Sequence, residues 1–343
     1  MKIIDLFSGI GGFALGLQRA GYQFTEHYFS EIDKHAIANY KHNFPHAINL
    51  GDITSIHGGD FTGIDVITFG SPCQDFSLAG KRAGLKGAKS SLIAHAIALI
   101  AQLRPGLFIW ENVKGAFSSN ARADFWAIIK TLANIGGYTI EWQLLNTSWV
   151  LPQNRERIYL IGHLGGRSIP GVFPFGENDK LLDRKTREKG WRGGNLKSSL
   201  ARTITARYSK MGSYDTYIVP KVAATLTGGG HSGGLHSDMT VIRQLKRGKN
   251  KGADLTICPT ISSNAFQENN LLNGVRRLTE IECERLQGFP DNWTQYGDYN
   301  GKIRRISKTQ RYKLIGNAVT VDIVTMIAKR LKFIEHENHK IPC

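Results

Sequence analysis

Three short apolar runs constrain this chain most, because each abuts residues that a hydrophobic core cannot use. Val66-Ile67-Thr68-Phe69 leads into Gly70-Ser71-Pro72-Cys73-Gln74-Asp75-Phe76-Ser77, Leu107-Phe108-Ile109-Trp110 leads into Glu111-Asn112, and Ile158-Tyr159-Leu160-Ile161 is preceded by Arg155 and Arg157. Runs of this length read as buried strands. A thiol, a carboxylate and two guanidiniums then stand at strand ends. They converge if the strands lie parallel, because an open α/β sheet gathers its chemistry in the crevice outside the carboxyl ends of its strands. Cys73 alone reads as an inert buried thiol. Glu111 and the arginine pair alone read as an ion pair under a strand end. Their joint placement is what points to a reactive site.

The rest of the first half supports the arrangement. Ile3-Ile4-Asp5-Leu6-Phe7 is a strand, Ser8-Gly9-Ile10-Gly11-Gly12 a tight turn, and Phe13 to Ala20 a helix with apolar residues at Phe13, Leu15, Leu17 and Ala20, stopped by Gly21. A second strand, Phe24 to Ser30, ends at Glu31, and a third, Ala47 to Leu50, ends at Gly51-Asp52. Leu92 to Leu103 and Phe125 to Asn134 read as helices. Strands alternating with helices imply a doubly wound α/β domain. Gly9 and Gly11 let backbone approach a ligand, and the helix beyond Gly12 points its N-terminus at negative charge. Glu31 is then placed to hold two ribose hydroxyls. By itself the turn, Gly9-x-Gly11-x-x-Ala14 with an acid about 20 residues on, also fits the dinucleotide fingerprint or a plain βα turn. Hydride transfer, however, has little use for a thiol, a carboxylate and two arginines.

Taken in order, these blocks resemble the cytosine-C5 DNA methyltransferases of bacteria and phages. Asp5 to Gly12 resembles the S-adenosylmethionine loop, Pro72-Cys73-Gln74 the nucleophile block, Glu111-Asn112-Val113 the carboxylate block and Gln153-Asn154-Arg155-Glu156-Arg157 the arginine block. Arg277-Leu278-Thr279 through Gln287-Gly288-Phe289-Pro290, then Gly316-Asn317-Ala318-Val319, resemble the closing blocks. The resemblance implies an α/β fold, a doubly wound mixed sheet, with a catalytic and cofactor domain at 1–165 and 307–343. A mostly β or irregular target-recognition domain is inserted at 166–306. It implies Cys73 as nucleophile toward carbon 6 of cytosine, Glu111 and Arg157 on the ring's polar edge, and Arg155 in support. It implies S-adenosylmethionine held by Phe7, Ser8, Gly9, Gly11, Gly12, Glu31, Ile32, Asp52, Ile53, Pro72, Asn317 and Val319. The target cytosine must leave the duplex to reach such a site, and the glycine-rich, cationic segment after Cys73 is suited to closing over it. Ser77 and Lys81 match loop positions that the family uses on DNA, and Gln74, Arg82 and Lys89 are further candidate DNA contacts; the chain departs from the family pattern at Lys89-Ser90, where an Arg-Gly pair is common.

Composition agrees with a polyanionic partner. Lys and Arg number 44 against 28 Asp and Glu, a formal net charge of +16. The excess gathers in Arg184 to Arg207, Arg243 to Lys251 and Lys302 to Lys313, all beyond the first domain's main segment. From Gly166 to Gly274 the chain turns rich in Gly, Ser, Thr, Arg and Lys. Loosely recurring phrases at Ala201, Ala223 and Cys258 precede strand-like runs at Tyr217-Ile218-Val219, Thr240-Val241-Ile242 and Asn270-Leu271-Leu272. This reads as irregular hairpins displaying loops, with Arg207, Tyr208, Ser209, Lys210, His231 and Ser232 as candidate base readers. The apolar helix Thr320 to Leu331 returns the chain to the first domain. Cys73, Cys258, Cys283 and Cys343 show neither zinc spacing nor a disulfide framework, and the histidines lack clustered partners, so no metal is expected. Met1 leads directly into a strand and no apolar stretch reaches membrane-spanning length, which implies a cytoplasmic, nucleoid-associated protein. The expected partner is double-stranded DNA, methylated by a monomer, with any cognate restriction endonuclease acting separately. An RNA methyltransferase, a non-catalytic DNA-binding regulator and, more distantly, an NAD enzyme remain as alternatives.

Overall fold

The computed structural model describes residues 1–71, 91–118, 123–165, 171–176, 242–244, 253–255, 258–259, 270–272 and 276–338. Its main sheet is built from β1 (Lys2–Leu6), β2 (Glu26–Ser30), β3 (Ile48–Asn49), β4 (Val66–Gly70), β5 (Leu107–Val113), β6 (Tyr138–Asn146) and, after the short β7 (Gln153–Asn154), β8 (Glu156–Leu164). The seven strands lie in the order β3-β2-β1-β4-β5-β8-β6. The first five are mutually parallel, and β8 runs antiparallel to both β5 and β6. Ile3, Ile4, Leu6, Ile67, Phe69, Phe108, Ile109 and Trp110 are all fully buried, as befits strands covered on both faces.

Helices α1 (Gly12–Arg19), α2 (Lys34–Asn43), α3 (Ser91–Leu103), α4 (Lys114–Ser118), α5 (Ala123–Asn134), α6 (Glu280–Leu286), α7 (Lys308–Asn317) and α8 (Val321–Asn338) flank the sheet. On one face, Ile93, Leu99 and Ile100 of α3 and Phe125, Ile128 and Leu132 of α5 pack on Ile4, Ile67, Phe69, Phe108 and Trp110. On the other, Phe13 of α1 and Ile323, Val324 and Ile327 of α8 pack on Ile109, Tyr159 and Ile161. At about 25 cal/mol per Å² of apolar surface, these layers dominate the stability of the sheet. Asp33 caps α2 by accepting from the amides of His35 and Ala36, and a Thr279–Glu282 capping box starts α6.

Two findings differ from the sequence reading. The third apolar run is antiparallel rather than parallel, yet the convergence survives, because the beginning of β8 then lies beside the end of β5. Arg157 sits opposite Val113, and Tyr159 opposite Glu111. Residues 278–306, allotted from sequence to the inserted domain, pack into the first domain: Leu278, Cys283 and Leu286 cluster with Ile315, and Phe289 and Ile306 with Ile10, Ala14 and Phe29. Within the middle segment, β9 (Ile242–Gln244), β10 (Ala253–Leu255), β12 (Asn270–Leu272) and β13 (Arg276–Arg277) form an antiparallel sheet, while β11 (Cys258–Pro259) pairs with β7. A hairpin of β14 (Tyr296–Asp298) and β15 (Ile303–Arg305) follows. The run at Tyr217 lies outside the described residues.

Candidate active site

The strand order reverses between β1 and β4, and the turn after β1 opens there. Phe7, Gly9 and Gly11 all adopt left-handed backbone, at φ 52°, 54° and 82°. The three glycines of the turn serve different ends. A Cβ on Gly9 would meet nothing within 4 Å, whereas one on Gly11 would collide with the Phe44 ring and one on Gly12 would lie 2.6 Å from a Val319 methyl. Gly9 therefore faces open space that a ligand can use, and Gly11 and Gly12 permit close packing instead. The Gly9 amide donates to Glu31 Oε2 at 2.9 Å, and Glu31 Oε1 accepts from the amides of Ile32 (2.7 Å) and Asp33 (2.9 Å). Beside this carboxylate Ile32 is 74 % exposed, an unusual position for a large apolar side chain. Ser8 Oγ is buried without a hydrogen-bond partner. Asp52 accepts from the amide and hydroxyl of Thr54, both at 2.9 Å, and these bonds hold its carboxyl below the ordinary range. Ile53 spends its side chain in the core, so only its backbone is left for a ligand.

The second part of the site lies where β4, β5 and β8 meet. Gly70 ends β4 opposite Glu111 of β5. Glu111 is buried, with Oε1 3.1 Å from Arg157 Nε but without hydrogen-bond alignment. A Cβ on Gly70 would stand 3.4 Å from Glu111 Oε2 and 3.9 Å from Val319, so glycine keeps the carboxylate's surroundings clear. Gln153 is fully buried with both amide atoms unpartnered. Each such orphan costs about 1–3 kcal/mol. With the Ser8 hydroxyl and the imperfectly aligned Glu111 carboxylate, these amide atoms are groups that a ligand in this site can satisfy.

Residues that the sequence reading passed over hold this edge in place. The Ser71 hydroxyl accepts from Trp110 Nε1 and Asn112 Nδ2, both at 3.1 Å, tying the exit of β4 to β5. Arg155 is 3 % exposed and donates to the carbonyls of Ala318 (2.8 Å) and Gly316 (3.4 Å), so it braces the closing turn. Burial, then the neighbouring Arg157 charge, brings its guanidinium down to about 9, still protonated at neutral pH. Asn317 is exposed at the end of α7. Val319 bridges Gly12 and Gly70, which joins the turn to the carboxylate edge. Beneath the turn Asp5 is fully buried, accepting from Thr68 Oγ1 (2.8 Å) and Tyr40 OH (3.1 Å), and burial raises its carboxyl to about 7. An acid inside the apolar run at Ile3 was the available signal for it. Pro72, Cys73, Gln74, Ser77, Lys81, Arg82, Lys89, Arg207, Tyr208 and Lys210 lie outside the described residues.

The sequence profile of the C-5 cytosine-specific DNA methylases matches residues 1–333. The chain belongs to this family. The type II methyltransferase M1.ScrFI of Lactococcus lactis subsp. cremoris is 32% identical, over 99% of this chain and 80% of its own. The type II methyltransferase M.NgoBI of Neisseria gonorrhoeae is 31% identical, over 96% and 92%. Among solved structures, the Dnmt2 methyltransferase of S. pombe superimposes with a TM-score of 0.60 at 17% identity, covering 98% of this chain and 99% of that one, which shows the fold. This DNA methylase is thus a DNA (cytosine-5-)-methyltransferase, and DNA is its substrate. Among the described residues of the methylase, no His, Cys, Asp and Glu cluster suits a metal ion and no helix is long and apolar enough to cross a membrane.

Proposed function

We propose that this methylase transfers the methyl group of S-adenosylmethionine to carbon 5 of a flipped-out cytosine, through a transient bond between the Cys73 sulfur and carbon 6. The observation that carries the proposal is the pairing of buried Glu111 with half-buried Arg157, 3.1 Å apart at the strand edge that leads, three residues past Gly70, to Cys73. Carbon 5 of cytosine is a poor nucleophile. Thiolate addition at carbon 6 pushes electron density onto carbon 5 and makes it reactive. Glu111 is suited to hydrogen-bond the exocyclic amine and ring nitrogen 3, and Arg157 to donate to ring oxygen 2, stabilising the electron-rich adduct. Loss of the carbon-5 proton then expels the thiol. Arg155 acts at one remove, by holding the turn that carries Asn317 and Val319.

The residues around the first turn fit the donor. Ser8 has a buried hydroxyl without a partner, Gly9 faces open space, Glu31 is fixed by three amides, and Ile32 offers an exposed apolar surface beside it. Glu31 would hold the ribose hydroxyls, Asp52 and Ile32 the adenine, and Phe7, Gly11, Gly12, Ile53, Pro72, Asn317 and Val319 would complete the pocket. The bound donor supplies an electrophilic methyl group on a sulfonium.

Gln74, Ser77, Lys81, Arg82 and Lys89 would follow the DNA beside the extruded base, an extrusion that costs a few kcal/mol. Arg207, Tyr208 and Lys210, in a recognition domain within 166–306, would read the target. The domain at 1–165 and 307–343, together with the segment 278–306 that packs into it, would carry catalysis. The names of the relatives support a role in restriction–modification or phage DNA protection. The methylase would act in the cytoplasm as a monomer, with any endonuclease acting separately. Bisulfite sequencing of plasmid DNA from bacteria without their own cytosine methylation, but expressing this chain, tests the proposal. Protected cytosines in one short recurring context are expected. No protected cytosine, with folded protein that binds S-adenosylmethionine, would move the reading to an RNA substrate or a silent DNA binder.

A further inference from the structure

We infer that the β14–β15 hairpin is an additional DNA contact, a sequence-independent arm that holds backbone phosphates of the duplex flanking the methylated site. The inference rests on the duplex-DNA substrate of the proposed function, but concerns residues other than the segment after Cys73 and the candidate base readers. The hairpin pairs Tyr296 with Arg305, Gly297 with Arg304 and Asp298 with Ile303. Lys302, Arg304 and Arg305 are all exposed, and none has a carboxylate within ion-pair distance among the described residues. The one acid in the hairpin, Asp298, accepts from the Gly301 amide within its own turn. Lys313 is already engaged with Asp33, and Lys308 approaches Glu280 at 3.9 Å. Three unneutralised cations thus occupy four successive positions, Lys302 and Arg304 on one face of the strand and Arg305 on the other beside the 55 % exposed Ile303. Like charges this close repel in the free protein, and a polyanion relieves them.

The arm is also held firmly. Asn39 Nδ2 donates to the carbonyls of Trp293 and Tyr296, both at 2.8 Å, and Tyr299 OH lies 2.6 Å from His35 Nδ1. Gly297 approaches α2 so closely that a Cβ there would fall 2.9 Å from the Ala38 methyl. The Arg305 guanidinium lies 5.8 Å from the centre of the Tyr296 ring. At the root, Trp293 Nε1 donates to the Ile10 carbonyl at 3.0 Å, which fixes the hairpin to the turn after β1. Charges on so rigid a support are pre-organised for phosphates rather than free to find partners elsewhere. The competing role for cations on an edge strand is to discourage edge-to-edge pairing between copies.

The test is binding of the full chain to a duplex of roughly 30 base pairs, about three helical turns, carrying the methylated site, from about 50 to 200 mM salt. Each phosphate contact contributes about 0.9 to the slope of log affinity against log salt. A Lys302→Gln, Arg304→Gln, Arg305→Gln variant is expected to flatten that slope by roughly 2.7. A Lys302→Gln, Arg304→Gln variant, which keeps the Arg305–Tyr296 stack, is expected to flatten it by roughly 1.8, and this variant decides if the triple one does not fold. Trimming the flanks should weaken wild-type binding and leave the variants unaffected. Equal slopes with duplex binding intact overturn the arm alone, even if the variants then self-associate, which would identify edge protection. A hairpin-dependent slope on single-stranded RNA but not on duplex DNA overturns it as well. A wild-type protein that binds no duplex at all removes the proposed function together with it.

Discussion

Replacing Arg155 by lysine should damage the methylase without touching any reacting atom. The guanidinium is buried and spans two carbonyls of the closing turn, Ala318 at 2.8 Å and Gly316 at 3.4 Å. An ammonium keeps the charge but is a single point, so it cannot reproduce the fork. At least one hydrogen bond to a charged donor is lost, worth about 1.5–3 kcal/mol, and a carbonyl in a buried turn loses its partner. The lysine head is more strongly hydrated, so its burial adds to the cost. A net loss of about 2–4 kcal/mol follows. At roughly 2 °C per kcal/mol, the low value that suits a chain longer than 250 residues, Tm should fall by roughly 4–8 °C. Because Asn317 and Val319 ride on the released turn, S-adenosylmethionine affinity should fall by about tenfold or more, 1.4 kcal/mol per decade. Thermal unfolding and calorimetric titration of the cofactor read both quantities. A variant with wild-type Tm and cofactor affinity would refute the bracing role.

Three further substitutions separate the parts of the site. Glu111→Gln keeps the shape of the side chain but removes its charge, and should slow single-turnover methylation by about 10²–10⁴-fold with cofactor affinity retained; an unchanged rate would remove Glu111 from the chemistry. Gly9→Ala meets open space but a left-handed backbone, so it should lower stability by only about 1–2 kcal/mol while weakening cofactor binding. Gly12→Ala should instead cost about 1–3 kcal/mol through overpacking on Val319, and indistinguishable behaviour of the two variants would contradict the division of roles. Asp5 has a folded-state carboxyl at about 7, above its ordinary 3.8, so the folded state holds a proton that the unfolded chain releases between those values. Stability from this group therefore falls as pH climbs from about 4 to 7, by up to about 1.4 kcal/mol per unit. Asp5→Asn should flatten the Tm profile across that range, and parallel profiles would show that the carboxyl does not titrate there.

The strands that frame the site were legible because their covering on both faces demands continuous apolar runs, as at Val66 to Phe69 and Leu107 to Trp110. Strand direction was not, since an apolar run reads alike from either end; the antiparallel course of β8 emerges only from its pairing with β5. Edge strand β6 is mostly half-buried and carries Glu141 and Gln143 among its apolar residues, so no run marks it. Glu31, Asp52, Glu111 and Arg157 stood out as charged groups at strand ends. Support groups did not: Ser71, Trp110 and Asn112 look like ordinary polar or core residues until their hydrogen bonds are seen. Glycines posed a similar problem, because the sequence cannot tell Gly9, which faces open space, from Gly11 and Gly12, which face packed side chains. The segment 278–306 looked like part of the insert because its polar composition hides how Leu278, Phe289 and Ile306 are buried.

The central claim is that Cys73 forms a covalent bond to the target base, and a substrate with fluorine at carbon 5 tests it most directly. Release of the thiol requires loss of the carbon-5 proton, so fluorine at that position should arrest the reaction with the base still attached. With S-adenosylmethionine present, the account predicts a denaturation-resistant protein–DNA complex whose cross-linked peptide contains Cys73, and none with Cys73→Ala. No covalent complex, or one formed through Cys258, Cys283 or Cys343, would contradict the account.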